Sequence, residues 1–266
     1  MHLIKLAFSP CPNDTFIFDA LVNGRIDLEG LSFEVQLADI DVLNQLAATH
    51  AVDVCKVSFH AYALKLQADW HLLDAGAALG RGVGPLLVQR KDAEPDSWRS
   101  GPIAIPGLET TARFLLRHYA PDCASVRPML FSEIMPAVAQ GEVSAGVIIH
   151  ESRFVYESYG LALIRDLGTH WEETTGLPIP LGGIVALRRL GPEVLAKLNR
   201  VVARSVDFAF EHPEASRPYI RQHAQELDEV VTQAHIDLYV NTYTRNLGTE
   251  GHLAVRRLLE EAGTWG

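Results

Sequence analysis

Cysteine is scarce in this sequence, and the few that occur form no recognisable pattern. The 266 residues include only Cys11, Cys55 and Cys123. Their spacing contains no C-x-x-C pair, the usual start of a structural zinc site. An odd number of widely spaced cysteines is typical of a protein kept in a reducing compartment. We therefore expect neither a disulfide framework nor a cysteine-based zinc centre.

Long apolar runs and clusters of basic residues are also absent. No stretch of about 18 apolar residues occurs, so no transmembrane helix is predicted. The start, "MHLIKLAFSPCPN", has neither the long apolar region nor the cleavage site of a secretory signal. The net charge is −10, and no Lys/Arg cluster is longer than a pair. The sequence thus predicts a cytoplasmic protein with no nucleic-acid or membrane partner.

The first two-thirds of the chain alternates β-like and helical segments. "HLIKLAF" predicts a strand, "NDTFIFDALVNG" predicts a helix that ends at Gly24, and the alternation continues as far as "SAGVIIH". Strands that alternate with helices indicate an α/β fold with a largely parallel sheet. The last third is helical in pattern, with Leu198, Val202 and Val206 on one apolar stripe.

Two changes in composition suggest that a middle segment is inserted into a first domain. One is the polar "KDAEPDSWRSG" at 91–101, and the other is "GGIVALRRLGPE" at 182–193. We predict a first lobe made of residues 1–90 plus 187–266 and a second lobe made of residues 91–186. The rigid segment "TGLPIPLGG" at 175–183 is either the wall of a pocket for a flat ligand or an ordinary loop.

Four predicted strand-to-helix junctions carry clusters of polar residues. Ligands of open α/β sheets bind outside the carboxyl ends of the strands, and helix N-termini there favour anions. The simpler interpretation is that Asn13, Ser58, Thr110 and Thr111 are N-caps, each contributing about 1 kcal/mol. Four such junctions in one chain favour a shared cleft. They are "SPCPNDT" (9–15), "KVSFH" (56–60), "PGLETT" (106–111) and "HESRF" (150–154).

His150 is the strongest candidate for acid–base chemistry, because it ends the predicted buried strand "AGVIIH". An imidazole at a strand end is available as a general base near neutral pH. The alternative is a core histidine that is hydrogen-bonded to a neighbour. The sequence contains no H-E-x-x-H and no G-x-S-x-G motif, and "GRGVGP" at 80–85 precedes a strand rather than a helix. These patterns give no support to metal, acyl-enzyme or phosphate-loop chemistry.

Taken together, several motifs resemble the 1,4-dihydroxy-6-naphthoate synthase family. The resemblance extends from about residue 6 to the C-terminal helices. It is carried by "FSPCPNDTFIFDALVNGRID", "KVSFHAYA", "LGRGVGPLLV", "PGLETTARFLL", "QGEVSAGVIIHESRF" and "GLPIPLGG".

The resemblance implies a periplasmic-binding-protein-like fold of the second type, with two α/β lobes and a ligand cleft between them. It implies cleavage of cyclic dehypoxanthinylfutalosine to 1,4-dihydroxy-6-naphthoate with loss of dihydroxyacetone, in the futalosine route to menaquinone. The family's proton acceptor falls on His150, and its substrate contacts fall on Lys56, Val57, Ser58, Thr110 and Thr111.

In this interpretation the substrate carboxylate is bound by Ser58, Thr110 or Thr111 with Lys56 as a counter-charge. Asn13 and Asp14 line the polar edge of the same cleft. No redox centre, metal or nucleotide cofactor is required. Two rival functions stay open: a non-catalytic receptor or sensor for a small carboxylate, and the sister enzyme chorismate dehydratase.

Overall fold

A computed structural model describes residues 2–123, 125–224 and 228–263, which divide into two compact units. Unit 1 comprises the chain up to Gly80 and from Pro180 onward, and unit 2 is Arg81–Ile179. The predicted lobe boundaries, after residues 90 and 186, lie later in the chain than the unit boundaries, which follow Gly80 and Ile179. The segment 86–90, predicted for the first lobe, pairs in the sheet of unit 2.

The strands form one sheet in each unit. The sheet of unit 1 has the order β2-β1-β3-β11-β4, with β5 pairing to β11, and that of unit 2 has the order β10-β6-β9-β7-β8. The strands are β1 His2–Phe8, β2 Leu31–Leu37, β3 Val54–Ser58, β4 Trp70–Leu72, β5 Ala78–Gly80, β6 Leu86–Arg90, β7 Pro102–Ile105, β8 Ser125–Pro128, β9 Ala145–Ile148, β10 Leu161–Asp166 and β11 Ile179–Leu187.

Both sheets are mixed, so the prediction of a largely parallel sheet was wrong. In unit 1, β1 is parallel to β2 and β3, but β11 is antiparallel to β3 and β4. In unit 2, β7 is parallel to β8 and β9, but β6 is antiparallel to β9 and β10. The alternation of strands and helices extends to some antiparallel strands, since helices at 167–175 and 191–211 follow β10 and β11.

Helices follow most of the parallel strands and pack on the sheets. They are α1 Pro12–Val22, α2 Ile40–Ala48, α3 Phe59–Ala61, α4 Thr111–Tyr119, α5 Phe131–Ala139, α6 Ser152–Val155, α7 Leu167–Thr175, α8 Gly191–Glu211, α9 Arg217–His223, α10 Glu229–Tyr239, α11 Thr242–Arg245 and α12 Gly248–Gly263. Within the described ranges, no helix combines the length and hydropathy that crossing a lipid bilayer requires.

Each unit has its own apolar core. In unit 1, Phe8 and Ile17 pack with Val202 and Val206 of the predicted α8 stripe, so α1 and α8 share one face of the sheet. Fully burying side chains of this size contributes about 1.5–3 kcal/mol each. In unit 2, α5 covers β9, where Ile134 and Val138 leave space for only a glycine at position 146.

The segment 175–183 is not a simple loop, because β11 begins within it. Pro180, Gly182 and Gly183 are unusual in a strand interior. For this reason the sequence pattern did not predict this strand. Close packing explains the glycines. A Cβ on Gly182 would lie 2.8 Å from the carbonyl oxygen of Val57, and one on Gly183 would lie 2.7 Å from Leu72.

We predict that Gly182→Ala destabilises the protein, since the obstructing atom belongs to the backbone of β3 and cannot rotate away. Overpacking of this kind costs about 1–3 kcal/mol of unfolding free energy. Chemical denaturation measures the loss. The matched control is Gly263→Ala, where nothing lies within 4 Å of the added Cβ and no loss is expected. Equal stability of the two variants would contradict the packing argument.

Candidate active site

A cluster of buried polar residues lies at the carboxyl ends of β1 and β3 in unit 1. We call Ser9, Asn13, Asp14, Lys56 and His235 the Asp14 cluster. Its centre is an ion pair with 2.9 Å between Lys56 Nζ and Asp14 Oδ1, whose side chains are only 6% and 2% exposed. Lys56 Nζ also donates to the carbonyl of Gly76 at 3.2 Å. The positive charge predicted here thus already has a protein partner.

The corner "SPCPNDT" is built around the Asp14 carboxylate. Ser9 Oγ donates to Asp14 Oδ2 at 2.7 Å, and Asn13 Nδ2 donates to Asp14 Oδ1 at 3.1 Å. Pro12 is the first residue of α1, where its fixed φ and missing N–H are tolerated. Asn13 is not an N-cap: it lies inside α1, and Cys11 holds the cap position without a side-chain hydrogen bond. The prolines and Ser9 therefore preset the position of Asp14.

Lys56, Val57 and Ser58 alternate across β3, as strand geometry requires. Lys56 and Ser58 share one face, whereas Val57 points into an apolar core on the other. The Ser58 N–H donates to Asn44 Oδ1 at 3.0 Å, and Asn44 Nδ2 donates to Ser58 Oγ at 3.3 Å. Ser58 is thus oriented by α2. Val57 has only its backbone to offer to a ligand.

Cys55 has no reactive thiol. Burial raises its pKa well above the ordinary value, and the charge of Asp14 raises it further. The thiol donates instead to backbone carbonyls, at 3.4 Å to Leu43 and 3.3 Å to Lys56. Since the thiolate is the nucleophilic form, covalent chemistry at Cys55 is disfavoured.

In unit 2, the predicted threonines lie at the start of α4. Thr110 is a genuine N-cap: its hydroxyl accepts from the N–H of Arg113 at 3.3 Å and donates to the carbonyl of Gly107 at 2.8 Å. Thr111 is the first residue of the helix and is buried. The first N–H groups of an α-helix have no intrahelical acceptor. This helix start is therefore suited to an anion.

His150 lies just beyond β9 in a strained backbone conformation. Its φ of 56° is in the left-handed region, which is uncommon for any residue other than glycine. The ring is half-buried and meets Phe131 edge to face, with the ring centres 5.1 Å apart. Strain of this kind is concentrated at functional sites. The partly exposed ring disagrees with a fully buried core histidine.

The sheet registers bring the predicted residues together in two pairs of junctions. β1 and β3 are parallel neighbours, so Asn13, which follows β1, and Lys56, which lies near the end of β3, are toward the same edge of the first sheet. β7 and β9 are parallel neighbours too, so Thr110 and His150 follow the same edge of the second. Asn44 and His235 were missed. Both lie inside helices, where no local motif marks a polar residue as part of a site.

Comparisons with known proteins identify the family to which the chain belongs. The model of the family described as "Menaquinone biosynthesis" matches residues 4–264. A curated relative from Streptomyces coelicolor, named 1,4-dihydroxy-6-naphthoate synthase, is 48% identical over 99% of this chain and 94% of its own length. A relative of the same name from Thermus thermophilus is 47% identical over 98% and 94%. The resemblance drawn from the motifs is confirmed.

Solved structures support the predicted fold. Protein AF1704 from Archaeoglobus fulgidus has a TM-score of 0.93 at 36% identity, covering 100% of this chain and 98% of that one. The Candida albicans CA3427 gene product, described as having the generic periplasmic binding protein fold, has a TM-score of 0.70 at 15% identity, covering 99% and 91%. The second likeness concerns the fold alone. It confirms the periplasmic-binding-protein-like fold.

We predict that Lys56→Met strongly destabilises unit 1, because it leaves the carboxylate of Asp14 buried without a counter-charge. Breaking a buried pair from one side costs about 3–5 kcal/mol of unfolding free energy. Denaturant titration measures it.

The double variant Lys56→Met/Asp14→Leu should recover much of that loss, since it removes both charges. The matched control is Lys197→Met, which breaks the exposed pair with Glu193 and should cost less than about 1 kcal/mol. Equal losses for Lys56→Met and Lys197→Met would contradict the assignment.

Proposed function

Because the chain belongs to the menaquinone biosynthesis family, we propose that it is a carbon–carbon lyase that forms 1,4-dihydroxy-6-naphthoate. The substrate we propose is cyclic dehypoxanthinylfutalosine, a small carboxylate, with dihydroxyacetone as the second product. The observation that carries the proposal is the identity of 47–48% over nearly the whole chain to two relatives with that name. A cytoplasmic location stays a prediction from the sequence.

His150 is the proposed general base. The reaction needs a group that removes a proton, and product aromaticity supplies driving force. A positioned imidazole contributes about 10²- to 10⁴-fold to such a step. Support comes from the partly exposed ring, its contact with Phe131 and the φ of 56°.

The start of α4 is the proposed anion site. The Thr110 hydroxyl already caps the helix. We therefore assign Thr110 the role of positioning the start of α4, not of binding the substrate with its side chain. The positive end of the helix dipole at the start of α4 and the side chain of Thr111 then bind the substrate carboxylate or a developing oxyanion. Donors that are fixed before the reaction stabilise charge without reorganising.

In unit 1, we propose that Asn13, Lys56, the Val57 backbone and Ser58 contact the substrate. Because Lys56 is already paired with Asp14, its role is to fix that carboxylate rather than to neutralise the substrate. Ser58, held by Asn44, is the neutral hydrogen-bonding group of this set. The rigid hydrogen bonds of both residues support a preorganised site.

The proposal predicts that the purified protein converts cyclic dehypoxanthinylfutalosine into the fluorescent naphthoate without an added cofactor. Fluorescence and mass spectrometry of the products check this. Tight binding with unchanged substrate would instead identify a receptor of the same fold. Consumption of chorismate without naphthoate formation would identify the sister dehydratase.

We predict that His150→Asn lowers kcat by about 10²- to 10⁴-fold and changes substrate affinity only slightly. Asparagine tolerates the left-handed backbone better than alanine does, so the fold should survive. The matched control is His50→Asn, since His50 has a φ of 53° but lies outside the proposed site. Steady-state kinetics and binding titration separate the two effects. Turnover by His150→Asn within threefold of the control would remove His150 from the mechanism.

A further inference from the structure

We propose that His235 is a positioning residue that fixes the orientation of the Asn13 amide and, through it, the Asp14 carboxylate. The inference rests on the proposed function, because it assigns His235 a part in that reaction. His235 lies on α10 and is 0% exposed. Its Nε2 atom is 2.9 Å from Asn13 Oδ1, although 222 positions separate the two residues.

The direction of this hydrogen bond follows from the groups on the far side of Asn13. A carboxylate can only accept hydrogen bonds, so the amide group of Asn13 that faces Asp14 must be its NH2. The carbonyl Oδ1 then faces His235 and must accept. His235 Nε2 therefore carries a proton and donates it.

A buried histidine at this position is costly unless it serves such a contact. Ile236 and Val240 of the same segment pack in the apolar core of unit 1, and the His235 ring packs against Tyr239 at a tilt of 51°, with the ring centres 4.7 Å apart. An apolar side chain would fit this environment without a desolvation penalty. The hydrogen bond to Asn13 offsets the desolvation penalty and accounts for a histidine at this position.

The contact has a consequence for Asp14. Without a donor at position 235, Asn13 Oδ1 loses its hydrogen bond, and only the hydrogen bond to Asp14 still orients the amide. The amide then rotates more freely, which weakens the hydrogen bond that Asn13 Nδ2 donates to the Asp14 carboxylate. Asp14 then loses one of the donors that hold it beside Ser9 and Lys56. His235 thus acts on the site from behind Asn13, without touching the substrate.

Three variants test the role of the donor. His235→Phe keeps a ring and removes the N–H, whereas His235→Gln keeps an N–H donor. His223→Phe is the matched control, because His223 also lies on a C-terminal helix of unit 1 with its ring 4.7 Å from a tyrosine, Tyr219. We expect His235→Phe to lower kcat for naphthoate formation about tenfold. His235→Gln and His223→Phe should stay within about threefold of the wild type.

A double-mutant cycle with Asn13→Ala tests whether His235 acts through Asn13. Once that amide is gone, adding His235→Phe should lower kcat by less than about twofold. The same tenfold loss in both backgrounds would overturn the proposal. So would a His235→Gln variant that is as impaired as His235→Phe, because retaining the donor would then have no effect.

Nuclear magnetic resonance of the wild-type protein tests the bond without any substrate. Long-range ¹H–¹⁵N spectra of the histidine rings should show a proton on Nε2 of His235, and its resonance should shift in Asn13→Ala. An Nε2 without a proton overturns the proposal, even if His235→Phe fails to fold. If the wild type forms no naphthoate, the proposed function fails, whereas the spectrum still decides the hydrogen bond.

Discussion

The buried ion pair between Asp14 and Lys56 is the interaction on which the rest of the unit 1 site depends. It joins the first turn of α1 to the end of β3, and both charges are almost fully removed from solvent. Buried charges are tolerated only when they are paired and hydrogen-bonded. Ser9, Asn13 and the carbonyl of Gly76 supply the additional hydrogen bonds. The rigid corner before α1 and the close passage of Gly182 by the Lys56 side chain both follow from the need to enclose this pair.

Unit 2 holds its proposed site residues by a different physical means. It offers the partial positive charge of a helix start and one half-buried imidazole. These two features suit a reaction in which a proton is removed and negative charge develops on oxygen. The left-handed backbone at His150 is a local conformational cost at the proposed general base.

The sequence predicted those parts of the molecule whose signal is local. β1, β3 and α1 have clear local patterns, and Asn13 and Thr110 follow strand ends, whereas Lys56 lies within β3. β11 was missed because its prolines and glycines make sense only beside β3 and β4, to which it pairs over a long sequence distance. Asn44 and His235 were missed for a related reason: each is a polar residue inside a helix whose partner lies elsewhere in the chain. Long-range pairing leaves no mark in a short window of sequence.

The division of unit 1 between two distant parts of the chain imposes an order on its assembly during translation. Residues of unit 2 form one continuous segment, so its sheet has all its strands as soon as that segment has left the ribosome. The early strands β1 and β3 must wait, because β11, which separates β3 from β4, is synthesised more than a hundred residues later. Until then one edge of β3 has no strand partner, and β11 does not yet cover the Lys56 side chain. The sheet of unit 1 is therefore complete, with the edge of β3 covered, only after β11 and the C-terminal helices have been synthesised.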